Sequence, residues 1–221
     1  MQTLGHADRS VDKELAALIA NLSTMGEKVL AQLSIVQEAI RGAKPELIEN
    51  VKKMDKEINA LEMQIEEEVM LFFSRHQPLL IELRFVTFSI KLVLILERMG
   101  DLAKNTVRRL NKLNETMKPE IAKELQDMTV AVKDQLKRSL QMLTSFNSEI
   151  TKTLAKRDDT IDAHYKNIKK SLRSELEQFP TRARALNQLK QIATNLERSG
   201  DFVTDITRIL YFIHTGDRLS K

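Results

Sequence analysis

Cysteine is absent from the 221 residues, which excludes disulfides, thiolate metal sites and a cysteine nucleophile. Tryptophan is absent too, and aromatic residues make up only 5% of the chain, leaving little surface on which bases could stack. Glycine and proline number six and four, too few for a loop-rich or turn-rich β architecture. Long apolar runs are also missing. The densest, Leu92 to Leu96, is bounded by Lys91 and Glu97, far short of the roughly 20 apolar residues of a membrane span. Met1 to Asp12 lack the apolar centre of a secretory signal. These absences lead to the expectation of a cytoplasmic protein with no direct membrane insertion.

What is present is a chain with 42% hydrophobic content, enough to fill a core, built largely from residues that lose little on entering a helix. The formal net charge of +4 is uneven: residues 1–117 carry 16 Lys and Arg against 17 Asp and Glu, and residues 118–221 carry 19 against 14. Nucleic-acid binding calls for a stronger basic stripe interleaved with aromatics, so no nucleic acid is expected as a partner.

Apolar positions define the helices. Val11, Leu15, Leu18, Leu22, Met25, Val29, Leu33, Val36 and Ile40 advance in steps of three and four, averaging about 3.6 residues per turn, the undistorted α-helical period. A second stripe runs from Leu47 to Phe72, and Pro78 opens a third helix. Pro119 opens a fourth, with apolar positions from Ile121 through Leu136, Leu140, Leu143, Phe146 and Ile150 to Leu154. Ile161 to Phe179 mark a fifth, and Pro180 introduces the last. All four prolines fall where a helix is expected to begin, a place that tolerates a missing N–H. Short connections make neighbouring helices antiparallel, and the expected architecture is all-α, two tandem three-helix bundles over residues 1–117 and 118–221.

The halves repeat. Leu96-Glu97-Arg98-Met99-Gly100-Asp101 recurs 100 residues later as Leu196-Glu197-Arg198-Ser199-Gly200-Asp201, and Met54 to Asn59 match Arg157 to Asp162 in layout at an offset of 103. Glu97, Asp101 and Asn105 form one stripe at i, i+4 spacing; Glu197, Asp201 and Asp205 form the equivalent. Asp55 with Asn59, and Asp158 with Asp162, form facing stripes on the preceding helix, so oxygen ligands from two helices can converge. Unpaired like charges at this spacing cost a few tenths of a kcal/mol, so each stripe calls for a cation. The cation is either a local arginine (Arg98, Arg198 or Arg208) or a bound metal. An all-oxygen site suits magnesium, manganese or iron. Gly100 and Gly200 each cost about 1 kcal/mol in a helix interior, which close approach of a helix or a ligand would explain. A ferritin-like di-iron site needs Glu-x-x-His pairs, and the residues three before His6, His76, His164 and His214 are Thr3, Phe73, Ile161 and Tyr211.

A Glu-Arg-x-Gly-Asp stretch on the third and sixth helices of a duplicated six-helix chain resembles the PhoU family. Arg75-His76-Gln77-Pro78 with Glu82-Leu83-Arg84, and the ending Tyr211 to Asp217, are similar as well. The resemblance implies a non-enzymatic regulator of phosphate uptake and phosphate-starvation signalling, often a homodimer. The partners it implies are the ATPase subunit of the phosphate ABC importer and a sensor histidine kinase. Carried over by residue, a first metal site would use Asp55, Glu97, Asp101 and Asn105, and a second Asp158, Asp162, Glu197, Asp201 and Asp205. Asn59, standing where the second half has Asp162, weakens the first. The alternative is a helical scaffold or adaptor that works without metal. No Gly-rich phosphate loop, His-Glu-x-x-His or Gly-x-Ser-x-Gly supports an enzyme.

Overall fold

A computed structural model describes residues 9–113, 115–154 and 159–219. Within them the chain forms six long helices and one short one, with no strand among the described residues. The first half holds α1 (Arg9–Arg41), α2 (Pro45–Arg75) and α3 (Leu80–Asn111). The second holds α4 (Pro119–Gln141), the short α5 (Ser148–Leu154), α6 (Asp159–Gln178) and α7 (Ala183–Thr215). A single 3₁₀ turn, Pro180–Arg182, leads into α7.

The apolar stripes become the core as their spacing requires. Leu15, Leu18, Leu22, Met25, Val29, Leu33, Val36 and Ile40 of α1 are buried, as are Leu47, Val51, Ile58, Ile65, Val69 and Phe72 of α2. Pro45, Pro119 and Pro180 each occupy the first position of a helical turn. Pro78 does not. It lies two residues ahead of α3, whose N-cap is Leu79, and Leu80 takes a left-handed φ of 51° that carries the chain into the helix.

The expected fourth helix is interrupted. Its three- and four-residue spacing continues through Leu154, but the helix stops at Gln141, and Met142 to Asn147 turn the chain before α5. Met142 and Leu143 bury themselves in this turn, and Phe146 stacks on His214 of α7 with ring centroids 4.3 Å apart. Asn147 restarts the helix by accepting a hydrogen bond on Oδ1 from the Glu149 amide at 3.0 Å.

The halves pack side by side, α3 against α7 and α1 against α4. Their buried apolar residues form one continuous cluster. Polar contacts stitch the seam: Arg109 donates to Gln188 Oε1 at 2.7 Å, Asn195 to Thr106 Oγ1 at 3.2 Å, and Gln126 to the Gln37 carbonyl at 2.6 Å. Arg84 donates from Nε to the Ile213 carbonyl at 2.9 Å, covering an orphan acceptor at the C-terminus of α7, where Gly216 closes the helix at φ 82°. The Glu82-Leu83-Arg84 motif at the start of α3 and the stretch Tyr211 to Asp217 at the end of α7 therefore meet.

The connection between halves is pinned from the far side. Arg182 donates to Glu115 Oε2 at 2.7 Å, to the Thr116 carbonyl at 3.0 Å and to Glu175. Glu175 is only 1% exposed, and Lys118 approaches its other oxygen at 3.4 Å.

Candidate functional site

The two Glu-x-x-x-Asp stretches lie on α3 and α7, and their glycines have a structural reason. A Cβ placed on Gly100 would stand 3.1 Å from Ile58 Cδ1 and 3.0 Å from the buried Gln32 Oε1; one on Gly200 would stand 2.8 Å from Ile161 Cδ1. Ile58 and Ile161 are themselves related by the offset of 103 seen upstream of the motif. Each glycine thus marks an equivalent close crossing, α3 over α2 and α7 over α6, which brings the acidic edge of one helix beside that of the next.

In the first half the carboxylates do converge across this crossing. Lys104, one turn beyond Asp101, extends its ammonium to Asp55 Oδ2 of α2 at 2.7 Å and to Asp101 Oδ1 at 2.6 Å. Burial alone would lower the lysine pKa. Its hydrogen bonds to Asp101 and Asp55 outweigh that and raise it, so the group is held as a cation. Burial pushes the Glu97 carboxyl above its ordinary range, reinforced by the charges of Asp101, Glu62 and Asp55, with Lys104 opposing. Glu62 of α2 is raised by burial and then by Glu66 and Asp101. Asp55, Glu62, Glu97 and Asp101 thus share one electrostatic neighbourhood. Asn105 is exposed on α3.

The second half differs. Asp162 and Glu197 are half-buried, Asp201 and Asp205 exposed, and Asp158 lies outside the described residues. Asp205 has Arg208 at 3.9 Å. Thr204, at the position of Lys104, turns its hydroxyl back to the Gly200 carbonyl at 3.3 Å.

Among the described residues, no three or more His, Cys, Asp or Glu side chains gather closely enough to hold a metal ion. In the first half the cation beside the carboxylates is Lys104, where the sequence offered Arg98 or a bound metal. Neither Lys104 nor Glu62 was singled out by the spacing rules, although both carried a signal. Lys104 is at i+3 from Asp101, and Glu62 is two turns beyond Asp55 on the same face of α2.

The three described histidines each face a residue of another segment. His164 pairs with Glu124, His76 lies 3.4 Å from Glu14, and His214 packs on Phe146 while bonding the Met142 carbonyl at 3.1 Å. The whole is a duplicated helical bundle whose halves share equivalent close helix crossings beside their Glu-x-x-x-Asp stretches.

Known proteins agree with that description. The PhoU domain model matches twice, over residues 22–110 and 125–210, one match per half. The chain belongs to the PhoU family. It is 30% identical over 217 residues to the phosphate-specific transport system accessory protein PhoU homolog of Caulobacter vibrioides, covering 98% of this chain and 94% of that one. The corresponding Zymomonas mobilis protein is 31% identical over 218 residues, covering 99% and 92%. The crystal structure of PhoU from Pseudomonas aeruginosa superposes with a TM-score of 0.87 at 26% identity, over 93% of this chain and 99% of that one. The PhoU structure from Streptococcus pneumoniae shares the fold at a TM-score of 0.80. No described helix is long and apolar enough to cross a membrane.

Proposed function

We propose that this chain is a cytoplasmic accessory regulator of phosphate uptake and phosphate-starvation signalling that acts by touching other proteins and not by catalysis. One observation carries the reading: both halves match the family, and relatives similar over almost the whole length are named as accessory proteins of phosphate-specific transport. Its partners are the ATPase subunit of a phosphate ABC importer and a sensor histidine kinase, and it works as a homodimer. Deleting the gene is expected to leave phosphate-responsive promoters active in phosphate-rich medium; unchanged repression refutes the role. Pull-downs from phosphate-replete and phosphate-starved cells test the partners directly.

Metal enters this reading at the second half. Asp162, Glu197, Asp201 and Asp205, with Asp158, supply hard oxygen donors that suit magnesium, manganese or iron, with Arg198 and Arg208 as the nearby cations. In the first half, Asp55, Glu97, Asp101 and Asn105 fit a metal only if Lys104 leaves. The metal-independent scaffold is the second reading, favoured by that lysine and by the lack of a three-ligand group among the described residues. Metal content of wild type and of Glu197→Ala with Asp201→Ala, both purified without chelator from metal-replete cells, separates the two. Metal-free wild type removes the metal reading and leaves the scaffold.

A further inference from the structure

We propose that Lys104 is the resident cation of the first-half carboxylates, so that this half carries an internal ammonium in place of a metal ion and the two halves of the duplication are not chemically equivalent. The inference takes from the functional reading only the idea that the acidic crossings need a cation.

Two observations support it independently. The first is geometric. One nitrogen lies 2.7 Å from Asp55 Oδ2 and 2.6 Å from Asp101 Oδ1, joining α2 to α3 through a side chain only 19% exposed. Carboxylate oxygens from two helices thus share one nitrogen at charge-assisted hydrogen-bond distance, at or just beyond the long end of the roughly 2.0–2.6 Å oxygen bonds of a hard cation. The ammonium therefore occupies the space such an ion would need, and its charge repels one.

The second is the substitution pattern across the repeat. Where the second half has Asp162, Asp205 and Thr204, the first has Asn59, Asn105 and Lys104. These three changes each make the first half less negative, and Glu62, which has Tyr165 at its position in the second half, returns only one of those charges. A site kept for a divalent ion needs its charge; one satisfied by a single ammonium does not.

The test uses full-length protein in which Glu197→Ala and Asp201→Ala remove second-half ligands, so that bound metal reports on the first half. Metal content after incubation with manganese or magnesium, and the thermal midpoint in chelator against metal, are read for this parent and for the same protein carrying Lys104→Met. The parent is expected to hold no stoichiometric metal and to melt at the same temperature in both conditions. Lys104→Met should melt several degrees lower in chelator and recover with manganese, because the carboxylates regain a cation from solution. Lys104→Arg should behave like the parent. Stoichiometric metal in the parent overturns the proposal, and that measurement stands even if Lys104→Met fails to fold. A Lys104→Met protein as stable as the parent and indifferent to metal overturns it as well. Metal-free wild type combined with metal-rescued Lys104→Met would reject the second-half reading while leaving this one intact.

Discussion

Gly200→Ala sets two known effects against each other where α7 crosses α6. Alanine is preferred over glycine in a helix interior by about 1 kcal/mol. Against this, the new Cβ would lie 2.8 Å from Ile161 Cδ1 and 3.4 Å from Ile161 Cγ2. Ile161 is 3% exposed and branched at Cβ, so it has little freedom to swing aside, and overpacking a closed core costs about 1–3 kcal/mol. Overpacking wins, and the substitution is expected to lower stability by about 1 kcal/mol. Ile161→Val removes the offending methyl and costs about 1 kcal/mol alone. In the double variant the closest atom is gone, the alanine methyl fills part of the vacated space, and the propensity gain returns. The double is expected near wild-type stability, a coupling of about 2 kcal/mol. Denaturant unfolding followed by helical circular dichroism measures all four proteins, and thermal midpoints should track at about 2–4 °C per kcal/mol for a chain of this size. A Gly200→Ala protein more stable than wild type, or a double variant additive within about 0.5 kcal/mol, would refute the close crossing as the reason for the glycine.

Arg182→Ala strips the buried Glu175 of its main counter-charge, with only Lys118 left at 3.4 Å, and should cost about 3 kcal/mol in denaturant unfolding, much of it recovered by adding Glu175→Gln. His214 is held below its ordinary pKa, first by burial and with small contributions from neighbouring positive charge, while the Met142 carbonyl opposes. The fold therefore favours the neutral ring. That contribution is fully present above the unfolded histidine pKa near 6.5 and fades as pH falls through the lower folded value. Stability should drop as pH falls below about 6.5 and level off beneath the folded value, and His214→Phe should flatten the drop in pH-dependent thermal unfolding.

The helices were legible because burial repeats along them at the period of the backbone. Every apolar position from Leu15 to Ile40 on the first stripe is in the core, and the repeated glycines, which left a close helix or a ligand open, stand against Ile58 and Ile161 of the neighbouring helices. The break at Met142 to Asn147 was not legible. Leu140, Leu143, Phe146, Ile150 and Leu154 keep helical spacing through it, and the tertiary partner that draws Phe146 out, the His214 ring, lies on another helix. Asn147 ahead of Ser148-Glu149 was the local hint of a new helix start. At the first acidic crossing, spacing picked out Asp55 and Asp101, which share Lys104, and Glu97, which feels their charge. It did not say which cation meets them, because a lysine's reach across to a neighbouring helix is a property of packing and not of one helix face.

The seam between α3 and α7 bears on how such a chain came to be. Each half's third helix is apolar both toward its own bundle and toward its counterpart, so cutting at the linker would bare a wide greasy flank on either fragment. An ancestral single-repeat polypeptide would have met the same problem and solved it by pairing with its twin. Two copies joined head to tail keep that flank covered within a single chain at every protein concentration.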